Sequence, residues 1–94
     1  MNRTEFKEKA KQTVDDFFAK MDELESKKNQ AKEEVKSSYD RKVEKLKAEK
    51  AGLKEKYNNL MTVSDEKWEE TKKAFTNASE SFKEGVAEIT SLVK

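Results

Sequence analysis

The chain has 94 residues, of which 44% are Asp, Glu, Lys or Arg, yet its formal net charge is only +1. It contains neither cysteine nor histidine, which excludes disulfides and removes the best nucleophile and the commonest general base of enzymes. With no proline and two glycines, the composition is typical of long helices in one small domain, residues 1–94. We therefore predict an all-α protein that is not an enzyme and uses no cofactor or metal.

The first predicted helix covers about residues 3–60. Asn2 followed by Glu5 indicates its N-terminus. Neither glycine nor proline interrupts the region around Asn29, so the pattern favours one continuous helix of about 85–90 Å at 1.5 Å per residue. A turn near Asn29 is the alternative. Apolar residues recur at helical spacing along this helix, at Phe6, Ala10, Val14, Phe17, Met21, Leu24, Ala31, Val35, Tyr39, Val43, Leu46, Leu53 and Tyr57.

A shorter return helix is predicted for about residues 64–93. Ser64 is a suitable N-cap, and Val63 and Trp68 have the spacing of a hydrophobic staple. Gly85 falls on the apolar stripe, which indicates that a bulky side chain such as Phe6 or Phe17 approaches closely there. The stripe advances in steps of three and four, the spacing of a heptad seam, through Trp68, Thr71, Phe75, Ala78, Phe82, Gly85, Ile89 and Leu92.

The unequal lengths of the two helices predict a particular assembly. The return helix covers only the second half of the long helix, so the first half needs another partner. Two chains with antiparallel long helices provide it, which gives an antiparallel coiled coil in a swapped dimer. The alternative is a monomeric three-helix bundle with a break near Asn29. In both arrangements the rings of residues 6–24 face those of residues 68–92. The residues predicted to carry self-association are Phe6, Phe17, Phe18, Met21, Leu24, Trp68, Phe75, Phe82, Ile89 and Leu92.

Positive charge is concentrated in the middle of the chain. Residues 27–56 contain eleven basic and six acidic residues, a local charge of +5, whereas each flank has five basic and seven acidic residues, a charge of −2. The favoured interpretation is that acidic ends pair with a basic middle when the helices pack. A nucleic-acid binder is a less favoured hypothesis, because the basic residues surround the helix instead of forming one stripe. Its candidate residues are Lys42, Lys45, Lys47, Lys50 and Lys54.

The sequence predicts a cytoplasmic protein. Its N-terminus lacks the apolar core of a signal peptide, and no apolar run approaches the length of a membrane span. Amphipathic helices leave one alternative function open, a lipid- or polymer-surface-binding protein of apolipoprotein or phasin type. No small-molecule substrate is indicated.

Two stretches, FKEKAKQTVDDFFAKMDELESKK and WEETKKAFTNASESFKEG, give the chain a family resemblance. It resembles small coiled-coil proteins of Bacteroidetes type that are loosely grouped as stress-response proteins. The spacing of Trp68, Phe75 and Phe82-Lys-Glu-Gly85 is the most specific part of this similarity. The resemblance implies a helical, oligomeric, non-enzymatic protein with a stress-related interaction or protective role, and it brings no catalytic residues with it.

Overall fold

The computed structural model describes residues 2–92, which form three α-helices connected by two short 3₁₀ turns. Helix α1 covers Arg3–Ser26, α2 covers Glu33–Thr62, and α3 covers Trp68–Ser91. The turns are Lys28–Gln30 and Asp65–Lys67. The predicted all-α class is confirmed. The molecule measures 50 × 17 × 15 Å, so its length is close to that of its longest helix.

Within the single chain, the predicted continuous helix over residues 3–60 does not form. Helix α1 ends at Ser26, Asn29 lies in a 3₁₀ turn, and Ala31 and Lys32 have extended backbones before α2 begins at Glu33. This turn brings the apolar stripe of α1 back onto the chain's own α2 and α3. Burial of that stripe outweighs the local helix propensity that favoured continuity. The three-helix alternative, with a break near Asn29, is the arrangement within one chain.

The helix ends agree with the predictions in part. Asn2 caps α1, since its side chain accepts a hydrogen bond from the Glu5 amide (2.8 Å) and donates one to the Glu5 carboxylate (2.9 Å). The return helix begins later than predicted, because a 3₁₀ turn precedes Trp68 and the Ser64 side chain makes no capping hydrogen bond. Val93, at the predicted end of that helix, lies outside the described residues.

The helices pack in an up-down-up order. Phe6 lies beside Trp68 and Phe17 beside Phe82, so α1 and α3 run parallel, while α2 runs antiparallel to both. All three helices and Ala31 of the connection contribute rings or aliphatic groups to the core. Its buried members are Ala10, Val14, Met21, Leu24, Ala31, Tyr39, Val43, Leu46, Leu53, Leu60, Trp68, Phe75, Phe82 and Ile89.

The two glycines lie in different surroundings. A Cβ atom added to Gly85 would lie 2.9 Å from Cδ1 of Leu46 and 3.3 Å from Oε2 of Glu49, so the close approach comes from α2. The expectation that Phe6 or Phe17 would make it is wrong. At Gly52 an added Cβ atom would meet no atom within 4 Å. Close packing therefore explains the glycine at position 85 but not the one at position 52.

Alanine substitutions at these glycines form a matched pair. We expect Gly52→Ala to raise the free energy of unfolding by about 1 kcal/mol, because alanine has the higher helix propensity and nothing obstructs its methyl group. In Gly85→Ala the same gain is offset by displacement of the buried Leu46 side chain. Urea denaturation of both variants measures the difference. Equal stabilisation by the two would contradict the packing described at Gly85.

Candidate interaction surface

An aromatic seam joins α1 to α3. The rings of Phe6 and Trp68 meet edge to face with centroids 5.8 Å apart, and Phe6 meets Phe75 at 6.2 Å. One end of the seam is thus closed by a cluster of three rings. Further along, Phe17 stacks on Phe82 with centroids 5.3 Å apart. The prediction that the rings of residues 6–24 face those of 68–92 is confirmed.

The ten residues predicted to carry self-association all belong to this core or its edge. Six are buried, namely Met21, Leu24, Trp68, Phe75, Phe82 and Ile89. The other four, Phe6, Phe17, Phe18 and Leu92, pack against the core but keep part of their surface in solvent. Within one chain these side chains therefore make the contacts between helices, and part of the aromatic surface of α1 stays accessible.

An open apolar groove runs between α1 and α3. Its volume is about 230 Å³, and its floor is made of aromatic and methyl groups. The exposed lysines Lys9 and Lys83 stand on opposite sides of it, with the exposed Glu80 near Lys83. The lining residues are Phe6, Lys9, Ala10, Thr13, Phe17, Phe75, Thr76, Ser79, Glu80 and Lys83.

A buried hydroxyl lies in the wall of this groove. The Ser79 Oγ atom is inaccessible to solvent and has no hydrogen-bond partner among the described residues. Some other helical hydroxyls bond to the carbonyl of the preceding turn, as Thr76 does to Lys72 and Thr90 to Val86. Ser79 departs from this pattern, because its hydroxyl has no partner among the described residues and is enclosed by the surrounding side chains. The sequence pattern did not reveal this, because a serine beside the apolar stripe looks like an ordinary surface residue.

The connection between α1 and α2 contains no residue that needs a special backbone conformation. Its residues are ordinary L-amino acids without proline or glycine, and no positive φ occurs among the described residues. Ala31 (φ −71°, ψ 142°) and Lys32 (φ −64°, ψ 149°) leave the helical region only in ψ. Both residues can adopt helical angles without strain.

Helix α2 has no side-chain cap at this connection, because Lys32 makes no hydrogen bond to the free amides of the first turn. The end of α1 is held by ion pairs instead. Glu23 lies 2.9 Å from the Lys27 ammonium group, and Glu25 lies 3.5 Å from that of Lys47 in α2. The start of α2 is therefore the part of the connection that lacks side-chain capping.

Tyr39 makes the hydrogen bond that ties α1 to α2 near the turn. Its hydroxyl donates to the Leu24 carbonyl, which lies in the last turn of α1 and lacks a helical amide partner. Tyr39 is fully buried, and this burial raises the pKa of its hydroxyl above the ordinary value of 10.0. Its position on the stripe was predicted; its role was not, although a buried tyrosine hydroxyl usually finds a partner.

Replacing Tyr39 by phenylalanine is expected to cost about 1–3 kcal/mol, because the Leu24 carbonyl then stays buried without a partner. Tyr57→Phe, at a partly buried ring, is the control and should cost much less. The raised pKa also predicts an alkaline effect. The stability from the protonated hydroxyl is complete below about pH 10 and is lost as the pH rises through the pKa of the folded state. Denaturation curves should converge for wild type and Tyr39→Phe at high pH; a constant difference would contradict this.

Charged groups link the basic middle of the chain to its acidic flanks. Lys42 of α2 lies 3.1 Å from Glu88 of α3, and Lys47 lies 3.5 Å from Glu25 of α1. The hydrogen bond from Lys42 holds the pKa of the Glu88 carboxyl below its usual value. These pairs agree with the predicted matching of acidic ends to a basic middle. Of the other candidate nucleic-acid contacts, Lys50 lies over the Phe18 ring, and Lys45 and Lys54 are exposed.

In residues 2–92, no cluster of three or more acidic, histidine or cysteine side chains is arranged to hold a metal ion. None of the three described helices combines the length and the apolar character that a membrane crossing requires.

Comparisons of the chain with protein-family models, with curated proteins and with solved structures gave no match. The resemblance to Bacteroidetes-type stress-response proteins therefore stays a prediction.

Proposed function

We propose that the protein is a non-enzymatic helical protein that self-associates, and that two copies form a dimer by exchanging α1. In this dimer the connection straightens and α1 continues into α2. Each α1 then packs against α2 and α3 of the other chain, and the two long helices run antiparallel as a coiled-coil rod. The contacts between Phe17 and Phe82 are the same as in the closed chain, but they join two chains.

The observation that carries the proposal is the connection over residues 27–32. Because the closed and exchanged forms share their core contacts, their difference in free energy comes from the connection and from the entropy of association. Straightening provides helical carbonyl partners for the amides at the start of α2, which lack a side-chain cap in the closed chain.

A stress-related interaction role fits such a protein. Exchange depends on concentration and on transient opening of α1, so conditions that populate open chains would favour the dimer. Opened chains also present aromatic surface to other unfolding proteins, which is the property a protective protein needs. This role rests on the resemblance in sequence and on the partly exposed rings of Phe6, Phe17 and Phe18.

Sedimentation equilibrium tests the proposal. Samples are refolded at a low and at a high concentration so that α1 has the opportunity to exchange. We expect the mass to rise from that of one chain, 10.9 kDa, towards twice that value as concentration increases. A mass of one chain at every concentration would contradict self-association.

A further inference from the structure

We propose that Tyr39 is a latch against the exchange of α1, because its hydroxyl stabilises the closed chain more than it stabilises the exchanged dimer. Its role rests on the proposed exchange, which it regulates. The latch is the hydrogen bond from the Tyr39 hydroxyl to the carbonyl of Leu24, two residues before α1 ends at Ser26.

The Leu24 carbonyl depends on Tyr39 in the closed chain. In a continuous helix this carbonyl accepts a hydrogen bond from the amide four residues later, that of Lys28. Here α1 ends at Ser26 and Lys28 begins the 3₁₀ turn, where its amide makes no hydrogen bond to Leu24. Leu24 is only 2% exposed, so water does not replace the missing amide. The Tyr39 hydroxyl is therefore the hydrogen-bond partner of this carbonyl.

Exchange of α1 removes that dependence. When the connection straightens, Lys28 becomes part of the helix and its amide bonds to the Leu24 carbonyl. The core contacts are kept between chains, so Tyr39 of one chain lies beside Leu24 of the other. A carbonyl oxygen has two lone pairs, so the hydroxyl then supplies a second bond instead of the first. Loss of the hydroxyl therefore leaves a buried carbonyl without a partner in the closed chain only.

The ion pairs between the region of the turn and α2 hold the closed chain less firmly. Lys28 lies 3.9 Å from Asp40 and Glu25 lies 3.5 Å from Lys47, but these four side chains are 38–55% exposed. Exposed pairs contribute little to stability, because water screens both charges. The bond from Tyr39 is the one fully buried side-chain hydrogen bond among residues 2–92.

Tyr39→Phe distinguishes a latch from a tyrosine that only stabilises the fold. We expect the variant to unfold at lower urea concentration when it is a single chain, and yet to dimerise more strongly than wild type. Each of the two chains in the dimer is released from the latch. At roughly tenfold for each chain, Kd should fall about a hundredfold. Sedimentation equilibrium of samples refolded at several concentrations measures Kd.

Two variants are the controls. Tyr57→Phe removes a hydroxyl that makes no hydrogen bond within residues 2–92, so its Kd should equal that of wild type. Phe82→Ala destabilises the closed chain without affecting the partner of the Leu24 carbonyl. Its Kd should therefore not fall, which shows that lower stability alone does not strengthen the dimer.

The possible results separate the latch from the exchange itself. If wild type dimerises and Tyr39→Phe has the same or a higher Kd, the latch is overturned and the exchange stands. If Phe82→Ala lowers Kd as much as Tyr39→Phe does, the effect comes from general destabilisation and the latch is again overturned. If wild type and Tyr39→Phe both sediment as one chain at every concentration, the exchange is contradicted, and the latch with it.

Discussion

Replacing Phe82 with alanine is expected to lower the free energy of unfolding by about 3–5 kcal/mol. Phe82 is fully buried, and its ring contacts both Phe17 and Phe18 of α1. Removing it leaves a cavity between α1 and α3 in addition to the lost burial. For a domain of this size each kcal/mol corresponds to about 4–8 °C in Tm, so calorimetry should show a large decrease.

Phe6→Ala is the control for that measurement. Phe6 also contacts two rings of α3, but it lies near the start of α1 and part of it is exposed. Its loss should cost clearly less, because solvent and neighbouring side chains fill the space. If the two substitutions cost the same, Phe82 is not the centre of the contact between α1 and α3.

Replacing Lys32 with proline is expected to abolish dimer formation. In a continuous helix, residue 32 lies in the interior, where proline costs about 3 kcal/mol. The exchanged dimer contains two such helices, so the cost is about 6 kcal/mol, or roughly four orders of magnitude in Kd. The closed chain accepts the same proline, because φ is −64° at Lys32 and Ala31 before it is extended.

The closed chain should even gain stability from Lys32→Pro, by about 0.4–1 kcal/mol, since proline restricts the unfolded chain. Lys32→Ala removes the same charge but remains compatible with a helix, so it should sediment like the wild type. If Lys32→Pro dimerises as strongly as wild type, the copies associate without exchanging α1. Phe82→Ala removes the same contact from the closed and exchanged forms. It should therefore lower stability without changing the balance between the two forms.

The sequence predicts which side chains meet in the core better than it predicts where the chain turns. Ring spacing at Phe6 and Phe17 and at Trp68 and Phe82 follows directly from helical periodicity, and these rings do meet across α1 and α3. The turn near Asn29 was predicted only as the alternative to a continuous helix, because its residues are good helix formers without glycine or proline. Whether such a segment bends depends on burial of side chains distant in sequence, which local propensity does not record.

The groove and the Tyr39 hydrogen bond lie beyond what periodicity can indicate. Both depend on how closely the helices approach one another at a given level, and that distance is set by the side chains of all three helices together. Gly85 shows the same limit. Its place on the stripe predicted a close approach, but the side chain that approaches, Leu46, comes from α2 and not from α1.

The most direct test of the exchange of α1 is whether Phe17 contacts Phe82 of its own chain or Phe82 of the other chain. Equal parts of carbon-13-labelled and unlabelled chains are unfolded together and refolded at high concentration, and isotope-filtered NOE spectra then report only contacts between chains. The account predicts NOEs between Phe17 of one chain and Phe82 of the other in the wild type, and none in Lys32→Pro. Ring contacts found only within single chains, in a sample that sediments as a dimer, would contradict it.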